Sequence, residues 1–249
     1  MNHLQIDGTS RITYKGKELS QMNSISTFSD YTVTSEYNVA KVNPAANTNI
    51  LCLAGCCIPT GYGAVINDAQ VTPGSSCAVW GLGGVGMCVI MACRDSGASK
   101  IIGVDINPSK FDLVNPKDVN VPEKLAEMTD GGPDFCFVSV GSIPAMEQAF
   151  ISCHPFWGKT VIIGLSETGA TMKAGVWELI LGRTLLGTNY GGCRPRIEIP
   201  GLVDKVLSGQ IQLEKLISHR LPLEKINEGF NMLRSGESIR SIIDFDLKA

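Results

Sequence analysis

The chain has 249 residues, enough for one large domain or two smaller ones built around a real hydrophobic core. Apolar residues make up 44% and charged residues 18%, a balance that excludes an intrinsically disordered chain. A formal net charge of −3, with no basic stripe, leaves out the electrostatic footprint of a nucleic-acid binder.

In chain order, the first twenty residues are polar and hold no apolar core, so no secretory signal is expected. The nine cysteines are odd in number and several lie in apolar runs, which predicts buried, reduced thiols and a cytoplasmic setting. Residues 1 to about 45 read as irregular or β structure; "TFSDYTVTSEYNVAKV" alternates apolar and polar residues in places, as half-exposed strands do. From Ala69 the pattern changes. Short apolar runs at 77–81, 101–106, 134–141, 159–165 and 184–191 alternate with helical stretches, which predicts βαβ units and a parallel, doubly wound α/β sheet. Pro122 and Pro144 stand where helices would begin, with Ser142 as a candidate N-cap. "IEIPGLVDKVLSGQ" and "LPLEKINEGFNMLRSGE" each read as a helix and "IRSIIDFDL" as a last strand. The stretch from about Leu216 is expected to return to the N-terminal segment as a second, smaller unit.

The segment "CAVWGLGGVGMCVIMAC", residues 77–93, carries no charge. Four glycines interrupt it and it is short for a membrane span of about 20 residues, so no membrane segment is expected. Gly81, Leu82, Gly83, Gly84, Val85 and Gly86 instead spell G-x-G-x-x-G, fed by a strand and leaving into a helix. Asp105 follows Gly86 by nineteen residues, at the end of the next strand. Together these are the dinucleotide fingerprint. The first glycine permits the turn, the second lets backbone approach a pyrophosphate, and the third lets helix and strand pack closely. Free N–H groups and the positive dipole end of the helix would face the phosphates. Asp105 would accept from the adenosine ribose hydroxyls, favouring NAD over NADP.

Rival chemistries find little. Tyr37 and Lys41 have Y-x-x-x-K spacing but precede the glycine turn in a strand-like segment. "GLSET" lacks the final glycine of a hydrolase elbow.

Longer phrases carry a resemblance. "GTSRITYKGKELSQMNSISTFSDYTV", "GCCIPTGYGA", "VTPGSSCAVWGLGGVG", "IIGVDINPSKF", "LGRTLLGTNYGG" and "LPLEKINEGFNMLRSGESIRSII" resemble the zinc-dependent alcohol dehydrogenases of the medium-chain dehydrogenase/reductase family. The animal type, with its glutathione-dependent formaldehyde dehydrogenases, is the group they resemble. The resemblance implies a Rossmann-type cofactor domain, a partial, mostly β, GroES-like catalytic domain, an alcohol or aldehyde substrate, NAD, zinc, and a homodimer. It divides the chain at residues 1–58, 59–200 and 201–249. It also implies that Asp105 and Lys110 contact the ribose, that Arg240 pairs with phosphate, and that Ile163, Gly164 and Leu165 flank the nicotinamide. Thr188 and Tyr190 would offer backbone groups to its carboxamide. For Ile163 and Leu165, a plain buried strand end is an equally simple reading.

The same resemblance predicts gaps. The family holds catalytic zinc with Cys, His and Cys plus an open position. Only Cys56 matches, as the last ligand; the first two belong to an N-terminal region expected to be absent, so the catalytic set is not complete. His3 reads as part of a mobile terminus, His154 and His219 read as surface or core histidines, Cys57 cannot share a face with Cys56, and Cys56 itself reads as a buried inert thiol. The segment after Lys110 is too short for the family's next helix and strand, which predicts a missing outer strand, an unpaired edge on "IIGVDI" and weaker NAD binding. The alternative is therefore a catalytically incomplete relative that binds NAD weakly or pairs with a full-length subunit.

Overall fold

The computed structural model describes residues 8–21, 25–107 and 114–247. Along the chain run β1 (Ile12–Tyr14), β2 (Lys17–Leu19), α1 (Thr48–Leu51) and α2 (Cys57–Gly63), which continues as a π-helical turn to Ala69. Then come β3 (Ser76–Trp80), α3 (Gly84–Asp95), β4 (Lys100–Val104), α4 (Val121–Met128), β5 (Phe135–Val138), α5 (Ile143–Ser152) and β6 (Lys159–Ile162). The rest is α6 (Val176–Leu181), β7 (Thr184–Gly187), α7 (Pro195–Leu207), β8 (His219–Leu221), α8 (Ile226–Ser235) and β9 (Ser241–Ile243). Contacts divide these into two compact units, residues 46–216 and residues 1–45 with 217–249. The final stretch thus groups with the N-terminal segment, while 46–58 and α7 group with the sheet.

The larger unit is built on a five-stranded sheet in the order β4-β3-β5-β6-β7, parallel at every pairing. The strands read as apolar runs because helices cover a parallel sheet on both faces. Cys77 to Trp80 and Cys136 to Val138 are all buried. One core layer gathers Trp80, Val104, Val121, Leu125, Val138, Met146 and Ala149 between the sheet and α4 and α5. Burying such side chains contributes about 1.5–3 kcal/mol each and sets the register of helix on sheet. The chain leaves β3 toward β4, then returns to the other side of β3 for β5. The sheet's switch point therefore lies beside the C-terminal ends of β3 and β5, the crevice where open α/β sheets bind ligands.

Three sequence expectations change. The β4 edge is not wholly unpaired: Val114 bridges Val104 in parallel, its N–H donating to Gly103 O at 2.9 Å. Residues 27–42 form no strand; Ser35 caps a short 3-10 turn at Glu36–Asn38, and Tyr31, Val33, Tyr37 and Val39 are exposed. Alternation alone cannot make a strand where no neighbour supplies a hydrogen-bond ladder. Conversely, α2 and its extension were not legible, because Pro59, Gly61 and Gly63 are poor helix formers. Packing overrides propensity here: a Cβ on Gly61 would lie 2.6 Å from both Cys88 Cβ and Val85 O, so the glycine lets α2 lie directly on α3.

The N-terminal edge of the sheet is tied by Asp134. Its Oδ2 accepts from the Ser76 N–H at 2.7 Å and the Ser76 hydroxyl at 2.8 Å, and its Oδ1 from the Trp157 indole at 2.7 Å. Burial pushes this carboxyl up, but the Ser76 N–H, the Trp157 indole and the Ser76 hydroxyl, with His154 nearby, outweigh it and hold it below its ordinary value of 3.8. A carboxyl lowered on folding stabilises fully above its unfolded value, and that stability is lost as pH falls through the folded value. Asp134→Asn is therefore expected to unfold in less urea than wild type at pH 6, with the gap closing below pH 4 toward the protonated state. An equal gap at both pH values would contradict this.

The smaller unit contains the antiparallel pair β1–β2 and the parallel pair β8–β9, with α8 packed on the latter. Phe28 and Phe230 meet edge to face at 6.3 Å. Among the described residues no single helix is long and apolar enough to cross a membrane.

Candidate functional site

The turn after β3 uses each of its glycines differently. Gly81 sits at φ +85°, in the left-handed region, and its N–H donates to Val104 O at 2.8 Å. A side chain there would also strike Val140, 2.4 Å from its Cγ1. Gly83 has an ordinary extended backbone, and a Cβ on it would meet nothing within 4 Å. Its surface is open where backbone would meet a ligand. Gly86 is the opposite: a Cβ would lie 1.9 Å from Gly81 O, because the first turn of α3 is pressed onto the turn it leaves. Gly84 and Leu82 are buried, and Leu82 fills the space above Gly103 of β4. Val85 is half-buried.

Asp105, just past β4, faces this turn. Its Oδ2 accepts from the Leu82 N–H at 2.7 Å and its Oδ1 from the Asn107 N–H at 3.0 Å. The carboxylate is thus anchored beside the turn by charge-assisted bonds.

A residue that sequence reading missed holds the other wall. The Ser139 hydroxyl lies 2.9 Å from Trp80 O and 2.7 Å from Gly81 O, sharing its one proton between them. It pins the loop after β5 to the loop after β3. The position, one residue past a buried strand, was the available signal. Beyond it the loops after β5 and β6 touch backbone to backbone. A Cβ on Gly164 would lie 2.2 Å from the Val140 carbonyl, and one on Gly141 2.0 Å from Leu165 O. Ile163 is buried and donates its N–H to Val138 O at 2.9 Å. Leu165 is 95% exposed, so it is not a buried strand end. The chain turns at Gly164 and carries the next side chain clear of the sheet.

After β7, the Thr188 N–H is committed to Ile162 O at 3.1 Å and its hydroxyl to Asp68 Oδ2 at 2.5 Å. Tyr190 takes φ +59° and donates its hydroxyl to Gly55 O at 2.7 Å. Burial, followed by the neighbouring Cys193 and Cys56 thiols, pushes this phenol up to about 12, so it remains a proton donor. Arg240 lies in the smaller unit before β9, where its carbonyl accepts from the Ser218 N–H at 2.9 Å. Tyr37 and Lys41 are exposed in that unit as well. Lys110 lies outside the described residues.

Cys56 corrects a sequence expectation. It stands at the break between two short helices, with φ −152°, and is exposed; the buried thiol is Cys57. Its Sγ lies 3.9 Å from Thr60 Oγ1. Among the described residues no group of three His, Cys, Asp or Glu side chains is placed to hold a metal. His154 is stacked on Trp157 at 3.3 Å and His219 belongs to β8; His3 lies outside the described residues. The donor set around Cys56 does not fit a three-ligand zinc.

Comparison with known proteins agrees with the parallel sheet. Residues 84–208 match the family described as zinc-binding dehydrogenase. Among solved structures, the chain is similar to an alcohol dehydrogenase zinc-binding domain protein from Burkholderia ambifaria, at 34% identity and a TM-score of 0.86, over 92% of this chain and 64% of that one. It is similar to benzyl alcohol dehydrogenase from Acinetobacter calcoaceticus at 32% identity and a TM-score of 0.84, over 88% and 63%. A third similar structure is the alcohol dehydrogenase TADH from a Thermus species, at 25% identity and a TM-score of 0.74, over 82% and 61%. The chain spans less than two thirds of the length of each.

Proposed function

The chain belongs to the zinc-binding dehydrogenases, and we propose that it holds NAD(H) at the turn Gly81–Gly86 as an oxidoreductase of the alcohol dehydrogenase type. The reaction class is oxidation of a primary or secondary alcohol to an aldehyde or ketone. The observation that supports this best is the division of labour among three glycines: one at positive φ, one open and one sealed against backbone. Fold alone would not require an open position in the middle. The "LGRTLLGTNYGG" and "SGESIRSII" phrases favour the animal-type subgroup within the family.

Bound there, the nicotinamide cofactor supplies a hydride acceptor. The chain's own residues bind and orient it. The α3 N-terminus and the bare surface of Gly83 would take the pyrophosphate. Asp105 and Lys110 would take the ribose. Ile163, Gly164 and Leu165 would flank the nicotinamide, with Leu165 excluding water from one side, and Thr188 and Tyr190 would orient its carboxamide. No step is assigned to zinc, because Cys56 lacks partner ligands among the described residues.

That lack favours a second reading of the working form: a cofactor-binding subunit whose alcohol chemistry needs ligands from elsewhere, through pairing with a full-length subunit. Among the described residues β7 pairs only with β6 and so forms a sheet edge, and α6 beside it in sequence exposes Val176, Trp177 and Ile180. An unprotected strand edge with exposed apolar residues suits pairing with a second copy or a longer homologue. One preparation tests the whole proposal. Calorimetry with NAD should give saturable binding, metal analysis well under one zinc per chain, and light scattering twice 26.6 kDa. Absence of saturable heat would end the cofactor reading; one zinc per chain would overturn the reading of Cys56.

A further inference from the structure

Six of the nine cysteines sit thiol against thiol in the larger unit. Cys77 neighbours Cys93 and Cys136 neighbours Cys153, while the Cys57 and Cys88 sulfurs are hydrogen-bonded. The first two pairs are sealed on every side, each member fully buried, and one partner of each belongs to a central strand fixed by its ladders. The third pair differs. It joins two helices, α2 and α3, with Sγ atoms 3.6 Å apart, and Cys57 keeps 3% of its surface in contact with solvent.

We propose that Cys57 and Cys88 are an oxidisable pair that closes into a disulfide bond between α2 and α3. The two sulfurs are already in van der Waals contact at 3.6 Å. Cys57 and Gly61 lie one turn apart on the same face of α2. At Gly61 a Cβ would be 2.6 Å from Cys88 Cβ, so the backbones are nearly in contact there. A disulfide needs Cβ atoms about 3.5–4.5 Å apart, and rotation about the side-chain bonds can bring two thiols at van der Waals distance to bonding distance.

A peroxide supplies the electron balance. The Cys57 thiolate attacks a peroxide oxygen, forming a sulfenic acid and releasing, with the thiol proton, one water. The Cys88 sulfur then attacks the sulfenic sulfur; the S–O bond breaks, the S–S bond forms, and hydroxide leaves with the Cys88 proton as a second water. Two thiols lose two electrons and the peroxide gains them. The bond would close a loop across a sequence separation of 31 residues and tie α2 to the helix whose first turn carries Gly84 and Gly86. Oxidation would thereby stiffen the base of the glycine turn without touching Asp105. In a reducing compartment such a bond is a sensor, not a permanent brace.

The test is to treat the full chain with hydrogen peroxide, alkylate under denaturing conditions and map peptides without reduction, using chymotrypsin to cut after Tyr62 and Trp80. The expected product is a Cys57–Cys88 linked peptide, reversed by dithiothreitol. The oxidised chain should unfold roughly 5 °C or more above the reduced one, an increment missing in Cys57→Ser. Oxidation of the exposed Cys52 and Cys56 shows that the dose was sufficient. Recovery of Cys57 and Cys88 as alkylated thiols at that dose overturns the proposal, as does a bond at Cys77–Cys93 or Cys136–Cys153 in its place.

Discussion

Gly86→Ala is expected to cost about 3 kcal/mol or more of stability and to abolish saturable NAD binding, whereas Gly83→Ala should change stability by less than about 0.5 kcal/mol. The difference follows from where each new methyl group would go. At Gly86 it would sit 1.9 Å from the Gly81 carbonyl oxygen and 2.9 Å from Ser139 Oγ. The first obstacle is backbone, so it cannot rotate away. Relief requires lifting α3 off β3, which exposes the core layer around Val89 and Ala92 and breaks the Ser139 tether. At Gly83 the backbone is already in a region open to every L-residue, and the added carbon meets nothing. Yet that surface is where a pyrophosphate would rest, and a methyl group there should weaken NAD binding roughly tenfold or more by holding the phosphates away from the α3 N–H groups. Urea unfolding followed by tryptophan fluorescence and calorimetry with NAD separate the two effects. A Gly83→Ala chain that binds NAD as wild type does would remove the pyrophosphate from this turn.

How far the sequence spoke depended on the range of the forces involved. The central strands were most legible because a strand buried on both faces must be apolar almost throughout, as β3 and β5 are. The glycine turn was legible because two unrelated demands, a close helix and a close ligand, both forbid a Cβ, and they do so at fixed spacing. What failed was whatever a distant partner decides. Gly61 and Gly63 argued against a helix, yet they make α2 possible by letting it lie on α3 and on Gly191. Ser139 reads as an ordinary loop serine until Gly81, 58 residues earlier, arrives beside it. Cys56 and Cys57 are chemically identical neighbours, and only the break at φ −152° decides that Cys56 faces water and Cys57 the core. The alternation in 27–42 predicted strands because periodicity reports which faces differ, not whether a neighbouring strand exists to pair with. Arg240 came from a resemblance, and the structure speaks only to its place before β9.

Asp105→Asn should lower NAD affinity by about 10- to 100-fold while bringing NADP affinity closer to that of NAD. In the fold this carboxylate is a structural acceptor before it is a ligand-binding one: it receives the Leu82 N–H from the turn and the Asn107 N–H from its own loop. Both donors approach oxygen. An amide has one oxygen, so one of the two N–H groups must face an NH2 donor instead, and losing a hydrogen bond to a charged group costs about 1.5–3 kcal/mol. The ribose would lose at the same time its charged acceptor. A 2′-phosphate gains by the same change, since the negative charge that would repel it is gone, and a carboxylate within a few ångströms of a phosphate is worth several-fold in discrimination even at high effective dielectric. The two cofactors should therefore move in opposite directions relative to each other, which a general loosening of the turn would not produce, because that would weaken both alike. Calorimetry with NAD and with NADP on the same variant reads the ratio directly. An unchanged ratio with both affinities reduced would leave Asp105 as a brace for Leu82 and nothing more, and the ribose would have to be held from another part of the crevice.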